Sequence, residues 1–255
     1  MAAPSALQYE KEITVEHYQC DLRDQLPMGG LLRQIQQIST DHCDALGITA
    51  QRYQDTNTAF LLAKISVECL RPIVAGERLR VVTRPSAPVR AIYYRFTSIL
   101  DEQGREICSA DARWTLIDTQ KRRILRNPPP ALGLPFTAPA ERTLELSMPR
   151  PAELERLGEF TASYSRTDRN GHLNNTFYAD LTCDALPLEQ ISQRSLRRMT
   201  LYYHKELRLG QSMELFRAPE GPDGWYVCGT LPQGKCFEAH AVFAAQLIEG
   251  FHHLG

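Results

Sequence analysis

No apolar run in the chain approaches the ~20 residues that a membrane-spanning helix needs, so an integral helical membrane protein is excluded. Charge of either sign is not in excess: the formal net charge is -1. No global field therefore favours nucleic acid or an anionic membrane, and an acidic partner has to be met by a local basic patch. The seven cysteines, at 20, 43, 69, 108, 183, 228 and 236, contain no CxxC pair and no regular framework. An odd, scattered set in apolar surroundings points to reduced, mostly buried thiols in a cytosolic protein. Cys228 and Cys236 come nearest to a metal spacing, but no second Cys/His pair completes it. His252 and His253 near the chain end read as surface residues. No Gly-x-Ser-x-Gly elbow is present for a serine nucleophile, and the glycines lack a nucleotide-binding pattern. The residues through Leu7 carry no basic segment of a signal peptide. Neither a cofactor nor a metal is expected.

What is present is an alternation of helical and strand periodicities. Apolar residues at Leu31, Leu32, Ile35, Ile38, Cys43 and Leu46 predict a helix that Gly47 ends. Ahead of it, residues 8 to 21 read as a strand. After it, four runs rich in Val, Ile, Leu, Phe and Tyr, over residues 59–70, 77–83, 89–100 and 106–117, are divided by short turn sequences. Short turns between successive strands imply antiparallel order, with the helix against one face of a curved sheet.

From Lys121 the character changes: prolines at 128, 129, 130, 135, 139, 149 and 151 deny sheet hydrogen bonds and stiffen the path. This predicts an N-terminal domain over 1–127, a linker over 128–158 and a C-terminal domain over 159–255. The first order then recurs, with a strand over 160–166, a helix over 174–186 and strands over 198–207, 212–218, 225–230 and 235–247. A shift of 147 residues pairs Asp21 with Asp168 and Leu26 with Leu173, so the halves read as diverged copies of one α+β unit.

The second copy carries the polar stretch Tyr164-Ser-Arg-Thr-Asp-Arg-Asn-Gly-His-Leu-Asn-Asn-Thr-Phe-Tyr178. Asp168, Asn170 and His172 alternate, which in an extended or tightly turned segment directs them to a common side. Gly171 supplies the freedom for the turn. Asn174 or Asn175 is placed to cap the following helix, leaving backbone N–H groups near His172 and Asn170. In the first copy the matching positions are Arg23 and Gln25, which suggests one active site rather than two. Taken alone, Asp-Arg-Asn-Gly is also the composition of a surface turn.

Two motifs in order resemble the acyl-acyl carrier protein thioesterases, built from two fused hotdog domains. One is Asp168-Arg-Asn170-Gly-His172-Leu-Asn174-Asn175; the other is Tyr203-His-Lys-Glu206, placed on the strand after the second helix. Leu61-Leu-Ala-Lys-Ile-Ser-Val-Glu68 and Ala112-Arg-Trp-Thr-Leu-Ile-Asp118 add to the likeness. The resemblance implies an α+β tandem hotdog fold and hydrolysis of acyl carrier protein thioesters. It implies a site of Asp168, Asn170, His172 and Glu206, with Glu206 helping to activate water, though Asp168 and Glu206 are open to exchange of the base and orienting roles. Leu207 stands where several plant members have a cysteine, which argues against a covalent cysteine route. With no transit peptide in view, a bacterial cytoplasmic member is the natural expectation.

Amides at the start of the second helix, around Asn174 and Asn175, are expected to meet the oxyanion. Leu31, Leu32 and Ile35, with the strands around Leu62, Phe96 and Trp114, are candidates to line the acyl tunnel. Arg194, Arg197, Arg198, Lys205 and Arg208, or Lys121, Arg122, Arg123 and Arg126, are candidates to steer the acidic carrier. An acyl-CoA substrate and a noncatalytic acyl-binding protein are the alternatives, and association into a homodimer is left open.

Overall fold

In the computed structural model, residues 5–245 are described. The first half runs β1 (Tyr9–Thr14), α1 (Met28–Ala45), α2 (Ala50–Asp55), β2 (Thr58–Cys69), β3 (Arg78–Pro85), β4 (Ile92–Leu100), β5 (Glu106–Asp118) and a short β6 (Arg123–Ile124). The second runs β7 (Glu155–Thr161), α3 (Phe177–Ala185), α4 (Leu188–Ile191), β8 (Leu196–Tyr203), β9 (Ser212–Glu220), β10 (Gly224–Leu231) and β11 (Gly234–Phe243). His252 and His253 lie outside the described residues.

One antiparallel sheet contains every strand, in the order β1-β3-β4-β5-β2-β8-β11-β10-β9-β7, with β6 on β5. The order of the second half mirrors that of the first, and the halves join where β2 pairs with β8, from Lys64↔Tyr202 to Glu68↔Arg198. A pseudo-twofold axis passes through this seam. Ser66 and Thr200, 134 residues apart, meet hydroxyl to hydroxyl at 3.0 Å. Arg33 of α1 and Asp180 of α3, 147 residues apart, form an ion pair. Equivalent positions of two copies can touch only at the axis that relates them.

Helix α1 buries Met28, Leu31, Leu32, Ile35, Ile38 and His42, the stripe that its 3.6-residue period predicts. Gly47 at φ +74 ends it. Gly29 lets the helices approach: a Cβ there would lie 1.8 Å from Asp180 Oδ1. The main core runs without a break from Val15 and Leu31 to Phe237 and Phe243, between helices and sheet of both halves. A smaller core of Ile48, Tyr93, Leu116, Leu132 and Phe136 closes the outer end of the first half.

Several boundaries differ from expectation. The first strand stops at Thr14, where Val15 turns inward and a one-turn helix at His17–Gln19 leads into the Asp21 turn. The second helix begins at Phe177, three residues late, because Asn174 is consumed by a turn of its own. Strand β7 starts at Glu155, inside the expected linker, and its partner β9 supplies the hydrogen bonds that a loop would lack. The proline segment is not a free tether. Leu132 and Phe136 enter the small core, the Leu144 N–H donates to Asp111 Oδ2 at 3.0 Å, and Arg142 lies over the Phe96 ring at 4.8 Å. Phe96 thus faces this segment on the outer side of the sheet, away from the helices, and does not line an acyl tunnel.

Candidate active site

The turn at 168–172 is built by one carboxylate. Asp168 Oδ1 accepts the Asn170 N–H at 2.8 Å and the His172 N–H at 3.5 Å, and Gly171 takes φ +77 to close it. The Asn170 amide reaches Asp168 Oδ2 at 3.5 Å and is otherwise exposed. Asp168 thus folds back on Asn170, and the side-chain neighbour of His172 is a group outside the turn.

Glu206 is where His172 points. It does not lie on a strand, because β8 ends at Tyr203. The segment that follows is laced to the turn: the Leu173 N–H donates to the Leu207 carbonyl at 2.8 Å, the Leu209 N–H to the Gly171 carbonyl at 3.0 Å, and Leu207 is fully buried between them. That lacing brings Glu206 Oε2 to 3.3 Å from His172 Nε2, with the histidine mostly buried and the carboxylate half exposed.

An accounting of backbone donors locates an unfilled one. Leu173, Asn174, Thr176 and Phe177 give their N–H groups to the Leu207 carbonyl, the Arg166 carbonyl, Asn174 Oδ1 and the Asn174 carbonyl. The Asn175 N–H has no acceptor among the described residues. Asn174 thus shapes the turn rather than capping the helix, whose N-cap is Thr176. The Asn175 carbonyl in turn accepts the Tyr203 hydroxyl at 3.1 Å; Tyr203, from a motif read only for its glutamate, is a contact of the site that the sequence alone did not single out.

Beside Asn175 and Tyr203 opens a narrow cleft lined by Leu32, Ile35 and Ser39 of α1 and by Leu62 and Trp114 of the sheet. Leu31 is not among them. One residue earlier on the helix, it turns toward a separate, larger cavity on the other side of the axis. Cys183 lines that second cavity too, and burial pushes its thiol up to about 12, so it supplies no thiolate at neutral pH. Cys236, near the site, is buried with its thiol also pushed up, chiefly by desolvation. Among the described residues no three His, Cys, Asp or Glu side chains gather as metal ligands.

The basic candidates separate. Lys205 and Arg208 flank Glu206, while Arg169 sits exposed in the Asp168 turn. Arg197 and Arg198 stand near the opposite end of β8, roughly 16–20 Å from Tyr203 at the rise of an extended strand. Arg198 approaches Glu68 at 3.8 Å across the seam, and Arg194 pairs with Asp223. Lys121, Arg122, Arg123 and Arg126 occupy the exposed hairpin beyond β5, at the end of the sheet toward which Glu206 lies.

The sequence matches the model of the acyl-ACP thioesterase N-terminal domain over residues 6–131 and that of the C-terminal domain over residues 151–235. The chain belongs to the acyl-ACP thioesterase family. Its solved relatives share the tandem hotdog architecture. An acyl-ACP thioesterase from Bacteroides thetaiotaomicron superposes with a TM-score of 0.80 at 19% identity, covering 96% of this chain and 100% of that one. The 12:0-ACP thioesterase from Umbellularia californica superposes with a TM-score of 0.79 at 14% identity, covering 93% and 97%. The chloroplastic oleoyl-acyl carrier protein thioesterase of Coriandrum sativum is 20% identical over 234 residues. That alignment takes in 84% of this chain and 63% of the relative, so the chain spans just under two thirds of the length of this member. No helix among the described residues is long and apolar enough to cross a membrane.

Proposed function

We propose that this member of the acyl-ACP thioesterase family hydrolyses acyl-acyl carrier protein thioesters to free fatty acid and holo-carrier, in the cytoplasm. The observation that carries the reading is the approach of His172 to Glu206 at 3.3 Å, each three residues along the chain from a residue, Asn175 or Tyr203, that lines an apolar cleft, with an unfilled backbone donor at Asn175. Glu206 is the base: one of its oxygens lies 3.3 Å from the imidazole Nε2, and its half-exposed carboxylate is open to water. Water attacks the thioester carbonyl as its proton passes to Glu206. The oxyanion is met by the Asn175 N–H, a contact worth roughly 3 kcal/mol for a well-aimed donor. Collapse expels the pantetheine thiolate, which takes the proton back through Glu206 or His172. Asp168 is the orienting carboxylate, since its oxygens are spent on the Asn170 and His172 backbone and the Asn170 amide.

The acyl chain lies along Leu32, Ile35, Leu62 and Trp114. Free space in that cleft is only about 10 Å³, so these side chains part to admit substrate. Each methylene buried contributes about 0.8 kcal/mol, enough for cleft depth to select chain length. Arg169, Lys205 and Arg208 around the mouth face the acidic carrier; Arg197 and Arg198 are too distant to share in that contact. Seven free thiols support a reducing compartment.

The deciding experiment is thiol release from matched acyl-ACP and acyl-CoA by the wild type and Glu206→Ala. Turnover of acyl-ACP that disappears in a folded, acyl-binding E206A supports the reading. Preference for acyl-CoA would move the substrate to the other carrier, and acyl binding without any turnover would end the catalytic assignment.

A further inference from the structure

A cavity far larger than the cleft beside Asn175, about 580 Å³, lies at the first half's own copy of the polar turn. Asp21 there repeats the work of Asp168, accepting the Arg23 and Gln25 N–H groups at 2.9 and 3.1 Å. Asp24, at φ +59, stands for Gly171. The Leu26 N–H donates to the Ile73 carbonyl as that of Leu173 does to Leu207. The chemistry has gone from this copy: Gln25 replaces His172 and Pro72 replaces Glu206. The space has not. Met28, Cys183, Leu186, Cys69 and Leu196 line the cavity where the same two shifts, 147 and 134 residues, put Asn175, Gln36, Ser39, Tyr203 and Leu62 around the catalytic cleft.

Two features distinguish this mouth from the catalytic one. Leu22 and Leu188 stand at it 77% and 75% exposed, where the same shift of 147 residues puts Arg169 and Asp41 at the active site, Asp41 being paired with Lys11. Exposed leucines in a lining that also holds Arg71 and Arg166 suit an amphiphile with an apolar tail and an anionic head. Inside, Arg23 is largely buried; its Nη1 donates to Ser195 Oγ at 3.3 Å and its Nη2 lies 3.6 Å from Asp21 Oδ2. Its Nε is buried with no acceptor among the described residues, so the guanidinium is not fully satisfied by its protein partners, and Arg23 is among the residues lining the cavity. The acidic groups nearby are committed or outside: Asp21 to its own turn and to Arg23, Asp180 to Arg33, and Asp184 to solvent.

We infer that this cavity is a noncatalytic site for a free long-chain carboxylate, its tail among Leu31, Cys183, Leu186 and Ile191 and its carboxylate on Arg23. The ligand class is that of the product released at the other cleft under the proposed function, and the volume falls in the range of sites that enclose small ligands. Because the readout is binding, it is independent of whether thioester turnover is found.

The test is calorimetric titration of the full chain with monomeric dodecanoate. The wild type is expected to take up two equivalents, C183F to lose one, and R23Q to weaken that one about tenfold, the loss of a single charged hydrogen bond. L32W, which fills the catalytic cleft, is expected to retain it. Bound [1-13C]dodecanoate at this site should titrate below free dodecanoate in the wild type, and this lowering should vanish in R23Q, because an adjacent guanidinium favours the ionised form. Should C183F not fold, the exposed pair L22D/L188D reads the same site from its mouth and is expected to weaken it. Uptake of one equivalent that L32W abolishes, or uptake that neither R23Q nor the cavity and mouth variants alter, would overturn the assignment. So would saturable binding of CoA there in place of dodecanoate.

Discussion

The two halves of the chain hold the same turn with the same carboxylate, and they differ in what the turn presents. Asp21 and Asp168 each gather the N–H groups two and four residues ahead. The first turn then offers Arg23, Gln25 and Pro72, the second Asn170, His172 and Glu206. The carboxylate is therefore an architectural part that both copies share, while the imidazole and the second carboxylate, present in one copy, are the parts to which the proposed function assigns the chemistry.

The sharpest way to break that comparison is to remove the distinguishing groups. E206A is expected to lower kcat by about 10²–10⁴-fold, the range for a lost general base, while Q25A at the matching place of His172 should leave turnover of acyl-ACP unchanged. A marked loss in Q25A would mean that both turns act in the reaction. Next in size is the seam between the helices. G29A forces a methyl onto Asp180 and should cost about 1–3 kcal/mol by urea unfolding, as overpacking does. Its counterpart T176A gives up a hydroxyl contact to Asn174 and a buried methyl but introduces no clash, for about 1 kcal/mol.

Neighbours on α1 give a finer division. L32W should shorten the preferred acyl chain in a product profile, whereas L31W, facing the other cavity, should leave that profile alone. Equal effects would mean that the two cavities are one. Around the mouth, R208E should raise KM for acyl-ACP several-fold at low salt and lose that effect as salt screens it. R197E, at the far end of β8, should not.

The smallest effect is in pH. His42 in the first half is buried and held below the ordinary imidazole range, chiefly by desolvation, with Nδ1 facing Arg95 and Nε2 facing the Ser5 carbonyl. His240 in the second is also lowered by burial, with Arg198 adding to the effect. A lowered imidazole binds its proton more readily in the unfolded chain. Its contribution is thus fully present above about pH 6.5 and falls as pH drops below it, by up to about 1.4 kcal/mol per unit for each group. Stability measured from pH 7 to 5 should fall, with a shallower slope in H42N. An unchanged slope would show that His42 does not couple to acid unfolding.

Much of this was legible in the residues. The helix stripe from Leu31 to Leu46 and most of the strand runs are local periodicities that folded as such, whereas the first strand ends at Thr14 rather than at residue 21 and the strand expected over 160–166 lies at Glu155–Thr161. The 147-residue shift read from Asp21 and Asp168 reappears as the Arg33–Asp180 contact. What local pattern does not carry is the partner. Alternation placed Asp168, Asn170 and His172 together, but the Asp168 carboxylate prefers its own backbone, as acidic turn residues commonly do. Whether Leu31 or Leu32 faces the catalytic cleft depends on where the second helix lies. Arg197 and Arg198 are near Glu206 in number and far in space because an extended strand separates them. The short helices α2 and α4 were unread, being too brief to show a period, although Thr49 and Pro187 stand at their starts.

The seam of β2 and β8 sets a constraint on any attempt to divide the polypeptide. Severing it between Ile124 and Glu155 would leave each fragment with a long, unsatisfied inner edge at the very place where Ser66 and Thr200 now meet. Such fragments are built to find one another, or a second copy of themselves, before they find solvent.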